Sequence, residues 1–348
     1  MKTNKSIAQR RSFLKKSTAF ITGTTLLGPS LFGAPRLLTL SSKPNSKING
    51  VQLGVITYSF RSMPDQSAEA TLQYILDAGI SAVELMGDPA EVYAGKPKSS
   101  LDRRGFYGMM RRKRNNELTD EELKEFAKME TALSEYNKEV AEWRSTITME
   151  KFQELRKMYN DAGVTIYAFK PNAFGKENTD AEINWGMKTA KTLGASHVTL
   201  EHPKDDEHTA KLGKMATEHG IYVAYHGHEQ QTPTFWDTAL KQSDHNALNL
   251  DIGHFVAAGN ENPLGIIKEK HEHIMSMHIK DRQTPEHHKG NVFWGTGDTP
   301  IVKALQLMRD NNYFFPATIE LEYDIPEGSD AVKEVRKCFE YAKQALES

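Results

Sequence analysis

The sequence predicts an α/β protein, specifically a (β/α)8 barrel with a long helical insertion after its second strand. Short apolar runs alternate with helical patterns about eight times between Val51 and the C-terminus. Several helical patterns end in Gly directly before the next apolar run, as helices commonly do. Eight such units in roughly 300 residues are typical of a closed parallel barrel with helices around it.

Eight apolar runs are the strand candidates. In chain order they read VQLGVITYS, SAVELM, GVTIYAF, SHVTLE, GIYVAYHGH, ALNLDIG, IMSMHIK and FPATIELEY. A doubly wound open sheet is the alternative arrangement of strand-helix units, but no GxGxxG loop follows the first run. The closed barrel is therefore the favoured prediction.

The helical patterns between these runs complete the units. They include SAEATLQYILDAG, MEKFQELRKMYNDAG, DAEINWGMKTAKTLG, EHTAKLGKMATEHG, TPIVKALQLMRDN and DAVKEVRKCFEYAKQAL. The last contains Cys338, which is the chain's one cysteine, so no intrachain disulfide is possible. Its place in an apolar helical pattern indicates a core residue.

A long polar segment between Gly87 and Thr148 interrupts the alternation of apolar runs and helical patterns. We interpret it as an insertion at about residues 87–148. It contains a basic run, RRGFYGMMRRKR, and a charged helical pattern that Thr119 or Asp120 can cap. Two interpretations stay open: a solvated elaboration of a loop, or a lid over the mouth of the barrel.

The first fifty residues predict an export signal followed by a linker. Arg10 and Arg11 precede a modestly apolar run from Ala19 to Phe32, which is too short and too rich in Gly, Ser and Thr for a membrane span. RRSFLK resembles the twin-arginine signal. We expect a signal peptide over residues 1–34, a linker over 35–50 and the barrel over 51–348; the alternative is a disordered basic N-terminus.

These features predict a periplasmic protein that meets the twin-arginine translocase during export and is not stably inserted in a membrane. With 26% charged residues and a net charge of −2, the composition is that of an ordinary globular protein and does not suggest nucleic-acid binding. A homo-oligomer is compatible with the sequence.

Polar side chains cluster where the later strand candidates end, which is the end of a parallel barrel that carries the active site. The residues at or next to these ends are Lys170, Glu201, His226, His228, Asp251, His278, Lys280, Arg282, Glu320 and Glu322. One histidine in a strand is more often a hydrogen-bonded core residue, and one Asp after a strand is more often a helix cap. The combination on several successive strands is much more specific.

Carboxylates and imidazoles that converge in this way form a mixed oxygen and nitrogen set. Such a set suits Mn²⁺, Mg²⁺, Co²⁺, Zn²⁺ or Fe²⁺, and a cation would offset the cost of burying several acids together. We therefore predict a divalent metal ion of unknown identity.

Four stretches, in order, resemble the xylose isomerase-like barrel superfamily: LNLDIGHFVAAG, MSMHIKDR, WGTGDTPI and ATIELEY. The run YHGHE is most similar to the inosose dehydratases of that superfamily. The resemblance implies that Asp251, His278 and Glu320 are metal ligands and that His254 binds a substrate hydroxyl beside the metal. His226 stands where sugar epimerases have a glutamate ligand, and Glu201 is a further candidate for that carboxylate.

The resemblance implies proton transfer beside a metal-bound carbonyl, with Glu201, His228, His254 and Lys170 as candidate catalytic groups. Epimerases also carry a second glutamate base, and QQTPTFW after YHGHE has none at that spacing. An isomerase or epimerase of an unphosphorylated sugar is the first hypothesis, and a lyase or hydratase of 3-keto sugars or glycosides is the second. A non-catalytic sugar-binding barrel is the third; a DNA-repair nuclease fits least.

Other residues at the strand ends have open interpretations. Lys280 and Arg282 are expected either to bind substrate or to pair with Asp281. Lys170 is either a proton-transfer group or a salt-bridge partner. Trp294 is expected either to stack on a sugar or to pack locally.

Overall fold

The computed structural model describes residues 43–348, so the predicted signal peptide and the first half of the predicted linker lie outside the described residues. Within this range, eight strands close into a parallel barrel and a ninth is added at its edge. They are β1 (Lys47–Ile48), β2 (Val51–Ile56), β3 (Ala82–Met86), β4 (Thr165–Lys170), β5 (His197–Glu201), β6 (Tyr222–His226), β7 (Asn246–Asp251), β8 (Ile274–Ile279) and β9 (Ala317–Ile319).

Strands β2 to β9 each pair in parallel with the next, and β2 pairs with β9 to close the barrel. The predicted (β/α)8 fold is confirmed. In the described part of the chain the helices are α1 (Ala68–Asp77), α2 (Gly87–Tyr93), α3 (Arg103–Arg114), α4 (Asp120–Thr146), α5 (Glu150–Asp161), α6 (Asp180–Leu193), α7 (Asp206–His219), α8 (Asp237–Gln242), α9 (Ile252–Ala257), α10 (Pro263–Lys270), α11 (Ile301–Asp310) and α12 (Ala331–Glu347).

The ordered fold begins before Val51, because the end of the expected linker forms a hairpin with β2. Ile48 pairs with Val51 in antiparallel register. Asn49 and Gly50 make the turn with φ values of 45° and 91°. Asn-Gly is the preferred pair for such a two-residue turn, so KINGVQ carried a hairpin signal that the linker prediction missed.

The interior of the barrel is polar, whereas the layer between strands and helices is apolar. Tyr167 lies inside with its hydroxyl 2.8 Å from Thr318 Oγ1. Its ring occupies the space beside Gly54, where an added Cβ would lie 2.7 Å from the ring. Next to it, His197 Nε2 lies 2.9 Å from Ser276 Oγ. Hydrogen-bonded side chains therefore fill the barrel up to the carboxyl ends of its strands.

The insertion forms a helical hairpin, α3 and α4. Thr119 caps α4 in a capping box with Glu122, as predicted. The two helices pack through stacked rings of Phe106 and Phe126, 5.1 Å apart. The insertion's role as a lid or as a solvated elaboration stays a prediction.

Arg144, at the far end of α4, anchors the insertion to the barrel. Its buried guanidinium binds Glu91 at 2.8 Å and Glu182 of α6 at 3.1 Å. It also donates to the carbonyl of Asn172 and lies over the ring of Trp185. The base of the insertion is thus fixed by a buried charge network. Between residues 43 and 348, the chain forms no helix of the length and apolarity that a bilayer crossing requires.

Candidate metal centre and active site

Four buried side chains from successive strands converge at the carboxyl end of the barrel, and we call them the cage: His226, Asp251, His278 and Glu320. One ligand atom of each lies within 4.8 Å of the others. Each follows from the register of the sheet, because His226 ends β6, Asp251 ends β7, and Asp251 pairs directly with His278. The structure therefore brings together the three residues that the resemblance identified and His226.

Asn249 sets the orientation of His226. The Nδ1 atom of His226 lies 2.8 Å from the amide oxygen of Asn249, which makes Nδ1 the donor. Burial lowers the pKa of His226 to about 3, so the ring is neutral at pH 7. The lone pair on Nε2 therefore faces Asp251 Oδ2, 4.0 Å away.

Glu84 orients His278, and the sequence analysis missed it. Its carboxylate is fully buried inside the barrel, 2.9 Å from His278 Nε2, and it also accepts from Thr199 Oγ1 at 2.7 Å. The other nitrogen, Nδ1, lies 2.9 Å from Glu320 Oε2. Burial lowers the pKa of His278, but Glu84 and Glu320 outweigh it and raise the pKa to about 10. An acid in the middle of the apolar run SAVELM was the available signal.

Lys280 shares the acids of the cage. Its buried ammonium lies 3.0 Å from Asp251 Oδ2, 2.6 Å from Glu320 Oε2 and 2.7 Å from Glu322 Oε2. Burial opposes its charge, but the three carboxylates outweigh burial and raise the pKa of Lys280. Lys280 is therefore a fixed cation beside the cage.

Asp281 is not the partner of Lys280 or Arg282, so that interpretation is wrong. Its carboxylate accepts backbone N–H groups from Gly295, Gly297 and Thr299, and it thereby holds the loop before α11. The strand alternation explains this, since adjacent residues point to opposite sides.

The cage fits a divalent cation by its donor chemistry. Asp251 Oδ2 is buried and makes no aligned hydrogen bond, although Lys280 lies beside it. It faces His226 Nε2 at 4.0 Å and His278 Nδ1 at 3.8 Å. Two imidazoles with two carboxylates, each imidazole oriented by an outer oxygen, are the usual environment of Zn²⁺, Mn²⁺ or Fe²⁺. These four residues can therefore hold a metal ion.

His254 lies over the cage because Asp251 caps the helix that carries it. Asp251 Oδ1 accepts the backbone N–H of His254 at 2.7 Å and begins α9. The ring lies between two cations: Nδ1 is 2.7 Å from Arg282 and Nε2 is 3.1 Å from Lys280. Burial, with Lys280 next, lowers the pKa of His254 to about 2. The ring is thus neutral and held in place; its predicted substrate contact stays a prediction.

Arg282 positions other side chains. Besides His254, its guanidinium binds Glu229 Oε1 at 2.6 Å and the carbonyl of Lys289. These contacts occupy donors that a direct substrate contact would need. The structure therefore places Arg282 as a support for His254, and a direct role in substrate binding stays a prediction.

A second group, which we call the rim, lies beside the cage: Lys170, Glu201 and His228. Lys170 Nζ lies 3.0 Å from Glu201 Oε1, and His228 Nε2 lies 3.5 Å from Glu201 Oε2. The side chains of Glu201 and His228 are 50% and 54% exposed. Burial raises the pKa of Glu201, but His226 and Lys170 outweigh it and lower the pKa to about 2. The rim is an accessible, ionised pair next to an imidazole.

The geometry favours His226 over Glu201 as the fourth donor of the cage. Glu201 belongs to no group of converging ligand atoms in residues 43–348, whereas His226 belongs to two. The second group consists of His226, His228 and His254. The rings of His228 and His254 lie 4.6 Å apart. A direct role of Glu201 as a ligand stays a prediction.

Trp294 packs against the C-terminal helix. Its ring lies 6.0 Å from that of Tyr341 in α12. The adjacent Phe293 is 48% exposed instead, and its ring lies 4.6 Å from that of Tyr323. This arrangement favours the local-packing interpretation of Trp294, and its stacking on a sugar stays a prediction.

The chain belongs to the xylose isomerase-like TIM barrel family, whose model matches residues 72–342. Members of this family are carbohydrate-acting enzymes that include isomerases, epimerases and dehydratases. The chain is 31% identical over 133 residues to an inosose dehydratase of Bacillus anthracis (strain CDC 684 / NRRL 3495), a match that covers 32% of this chain and 44% of the relative. Such matches span between a quarter and about three-fifths of these relatives' length.

Two solved structures show the same fold at low sequence identity. A sugar phosphate isomerase/epimerase from Parabacteroides distasonis superposes with a TM-score of 0.54 at 18% identity, covering 85% of this chain and 95% of that one. The IOLI protein with a bound zinc atom superposes with a TM-score of 0.54 at 15% identity, covering 84% and 98%.

Proposed function

We propose that the protein is a divalent-metal-dependent lyase that removes water, or another β-substituent, from an unphosphorylated keto sugar or related cyclic polyol. The observation that carries the proposal is the buried cage with an accessible acid-base group, the rim, directly beside it. The similarity to inosose dehydratases supports elimination as the outcome.

The cage would hold the cation through His226, Asp251, His278 and Glu320. A cation bound there stabilises negative charge on a carbonyl oxygen of the substrate. Glu84 and Asn249 keep the two imidazoles oriented, and Lys280 holds Glu320 and Asp251 in place.

The rim would move the proton. Glu201 is ionised at neutral pH, and its Oε1 is held by Lys170, so Oε2 is the oxygen that accepts a proton from the carbon beside the carbonyl. His228 Nε2, 3.5 Å from that oxygen, relays a proton to the leaving hydroxyl. The carbon-oxygen bond breaks, a carbon-carbon double bond forms, and water leaves.

The charges around the cage support an unphosphorylated substrate. Lys170 is paired with Glu201, Lys280 with three acids, and Arg282 with Glu229. Each of these cations already has a carboxylate partner, so none of them adds a free positive charge for a phosphate group.

The test uses purified, metal-replete protein in D₂O with a panel of free sugars, 3-keto sugars and their glycosides, followed by proton NMR. Elimination predicts a vinylic proton and release of water or of the aglycone. Enzyme treated with a chelator is the control and should lose the reaction. Bound metal with no reaction and no exchange on any member of the panel would contradict the proposal.

Isomerisation or epimerisation is the second candidate. It is favoured by two further polar side chains at the cage, His254, which follows β7, and Lys280, which follows β8. A proton returned to the same or the neighbouring carbon gives these products. In the same experiment, solvent deuterium beside the carbonyl with the carbon skeleton intact would identify this outcome.

We also propose export to the periplasm through the twin-arginine pathway, on the strength of RRSFLK in the N-terminal segment. Replacing both Arg10 and Arg11 with Lys should leave the protein in the cytoplasmic fraction. The unchanged protein in the periplasmic fraction is the reference. Equal distributions for the two proteins would contradict export by this route.

A further inference from the structure

A cleft of about 220 Å³ opens at the carboxyl end of the barrel, which is also the end that carries the cage. We call it the Arg61 cleft; its lining includes Ser59, Arg61, Ser62, Leu321, Tyr323 and Asp324. One wall follows β2 and the other follows β9, so both come from strand ends at the carboxyl face. This volume is smaller than that of a typical pocket for a whole ligand, and it suits one part of a larger substrate.

The Arg61 cleft and the cage share the chain segment that follows β9. Leu321 lies between Glu320, which is a cage residue, and Glu322, which binds Lys280 at 2.7 Å. Ser59 fixes the two walls together, because its hydroxyl accepts the N–H of Leu321 at 3.0 Å and donates to the carbonyl of Ile319. The walls of the cleft are thus fixed to the strand end that also carries Glu320.

The charges in the cleft point to a neutral, hydroxylated ligand. Arg61 donates to the carbonyl of Leu321 at 2.7 Å and lies 4.4 Å from the centre of the Tyr58 ring. Within residues 43–348 neither Arg61 nor Asp324 has an ion-pair partner, although both line the cleft. One cation and one anion supply donors and acceptors for hydroxyls, and together they leave the cleft without a net charge that would favour an anionic ligand.

Aromatic rings supply the apolar part of the cleft. Tyr323 lines it, and the exposed ring of Phe293 packs on Tyr323 at 4.6 Å. Tyr58, whose ring lies against Arg61, is 39% exposed. Rings that are apolar on the face and polar at the edge, next to hydrogen-bonding groups, match the faces and hydroxyls of a sugar ring.

We infer that the Arg61 cleft is a second subsite, which binds a neutral ring linked to the sugar that occupies the cage. The substrate class is then a glycoside or a disaccharide derivative. This inference rests on the proposed function for the identity of the ring in the cage.

The test measures equilibrium binding, so it needs no turnover. Dissociation constants for glucose, cellobiose and maltose are measured by NMR titration on the metal-loaded protein. We expect at least one disaccharide to bind about tenfold more tightly than glucose. Phe293→Ala and Arg61→Met should each reduce that ratio to about twofold or less. Tyr107→Ala, an exposed aromatic on the insertion, is the matched control and should keep the ratio.

The two proposals fail in different ways. Equal affinities for glucose and the disaccharides, no measurable binding of either disaccharide, or a ratio that survives in both cleft variants would each overturn the subsite. Reaction of the keto-sugar panel would be unaffected by those results. Loss of the proposed chemistry would instead appear as no reaction on that panel, with the disaccharide preference still present.

Discussion

The cage and the rim lie side by side, but they are built differently. The cage side chains are almost fully buried, and outer partners such as Glu84 and Asn249 hold their imidazoles. Glu201 and His228 of the rim are about half exposed. Buried, hydrogen-bonded ligands keep a fixed geometry, whereas an exposed acid exchanges protons with substrate and solvent. The difference separates a part that binds from a part that moves protons.

The largest expected effect tests the cage. Asp251→Asn removes one carboxylate ligand, but the amide oxygen can still accept the N–H of His254, so α9 should remain capped. We expect loss of bound metal and at least a thousandfold loss of kcat/KM, about 4 kcal/mol or more in transition-state stabilisation. Metal analysis and kinetics measure this. Full metal content with full activity would refute the claim that the cage binds the metal. Asp161→Asn on the exposed surface is the control.

The second largest effect tests whether the rim is separate from the metal-binding cage. Glu201→Gln should lower kcat by about 10²–10⁴-fold, because the amide cannot accept the proton. The metal content should not change, since Glu201 lies outside the cage. A loss of metal in this variant would show that Glu201 is a ligand and would remove the distinction. Glu207→Gln, an exposed acid at the start of α7, is the matched control.

Glu84→Gln tests how much the partner of His278 inside the barrel contributes to metal binding. The amide can keep a hydrogen bond to His278, but it removes the charge that orients and supports the ring. We expect metal affinity to fall about 10–100-fold, as for other outer partners of metal-binding histidines. Competition with a metal-binding dye measures the affinity. An unchanged affinity would limit Glu84 to a structural role, and exposed Glu340→Gln is the reference.

The smallest expected effect concerns His197, a buried histidine in the interior of the barrel. Burial lowers the pKa of His197 from 6.5 to about 4, so the unfolded chain binds its proton first as the pH falls. The stability from this residue is complete above pH 6.5 and is lost progressively towards pH 4. His197→Gln should therefore show a weaker pH dependence of the free energy of unfolding between pH 4 and 6.5, by up to one proton. Parallel curves for the two proteins would contradict this.

The sequence predicted the barrel and the convergence of the four cage residues, because both follow from the alternation of strands and helices. Alternating strands and helices imply the closed sheet, and polar residues at strand ends imply convergence. What the sequence could not reveal depends on contacts across the barrel. Glu84 binds His278 194 residues away, and Lys280 binds Glu322 42 residues away. For Asp251 the sequence offered two interpretations, a metal ligand and a helix cap, and the structure shows that this residue of the cage also caps α9.

Buried contacts are unequally distributed along the insertion, and this distribution determines where the chain first unfolds locally. Its base is held by the buried network of Arg144, while the tip of the hairpin relies on Phe106 and Phe126 and on exposed ion pairs. Regions with few buried contacts open first in native proteins. Amide hydrogens near the tip should therefore exchange with solvent long before those of the barrel strands, and a protease cut there would leave the barrel folded. We therefore expect the barrel to stay folded when the tip of the hairpin changes in length or sequence.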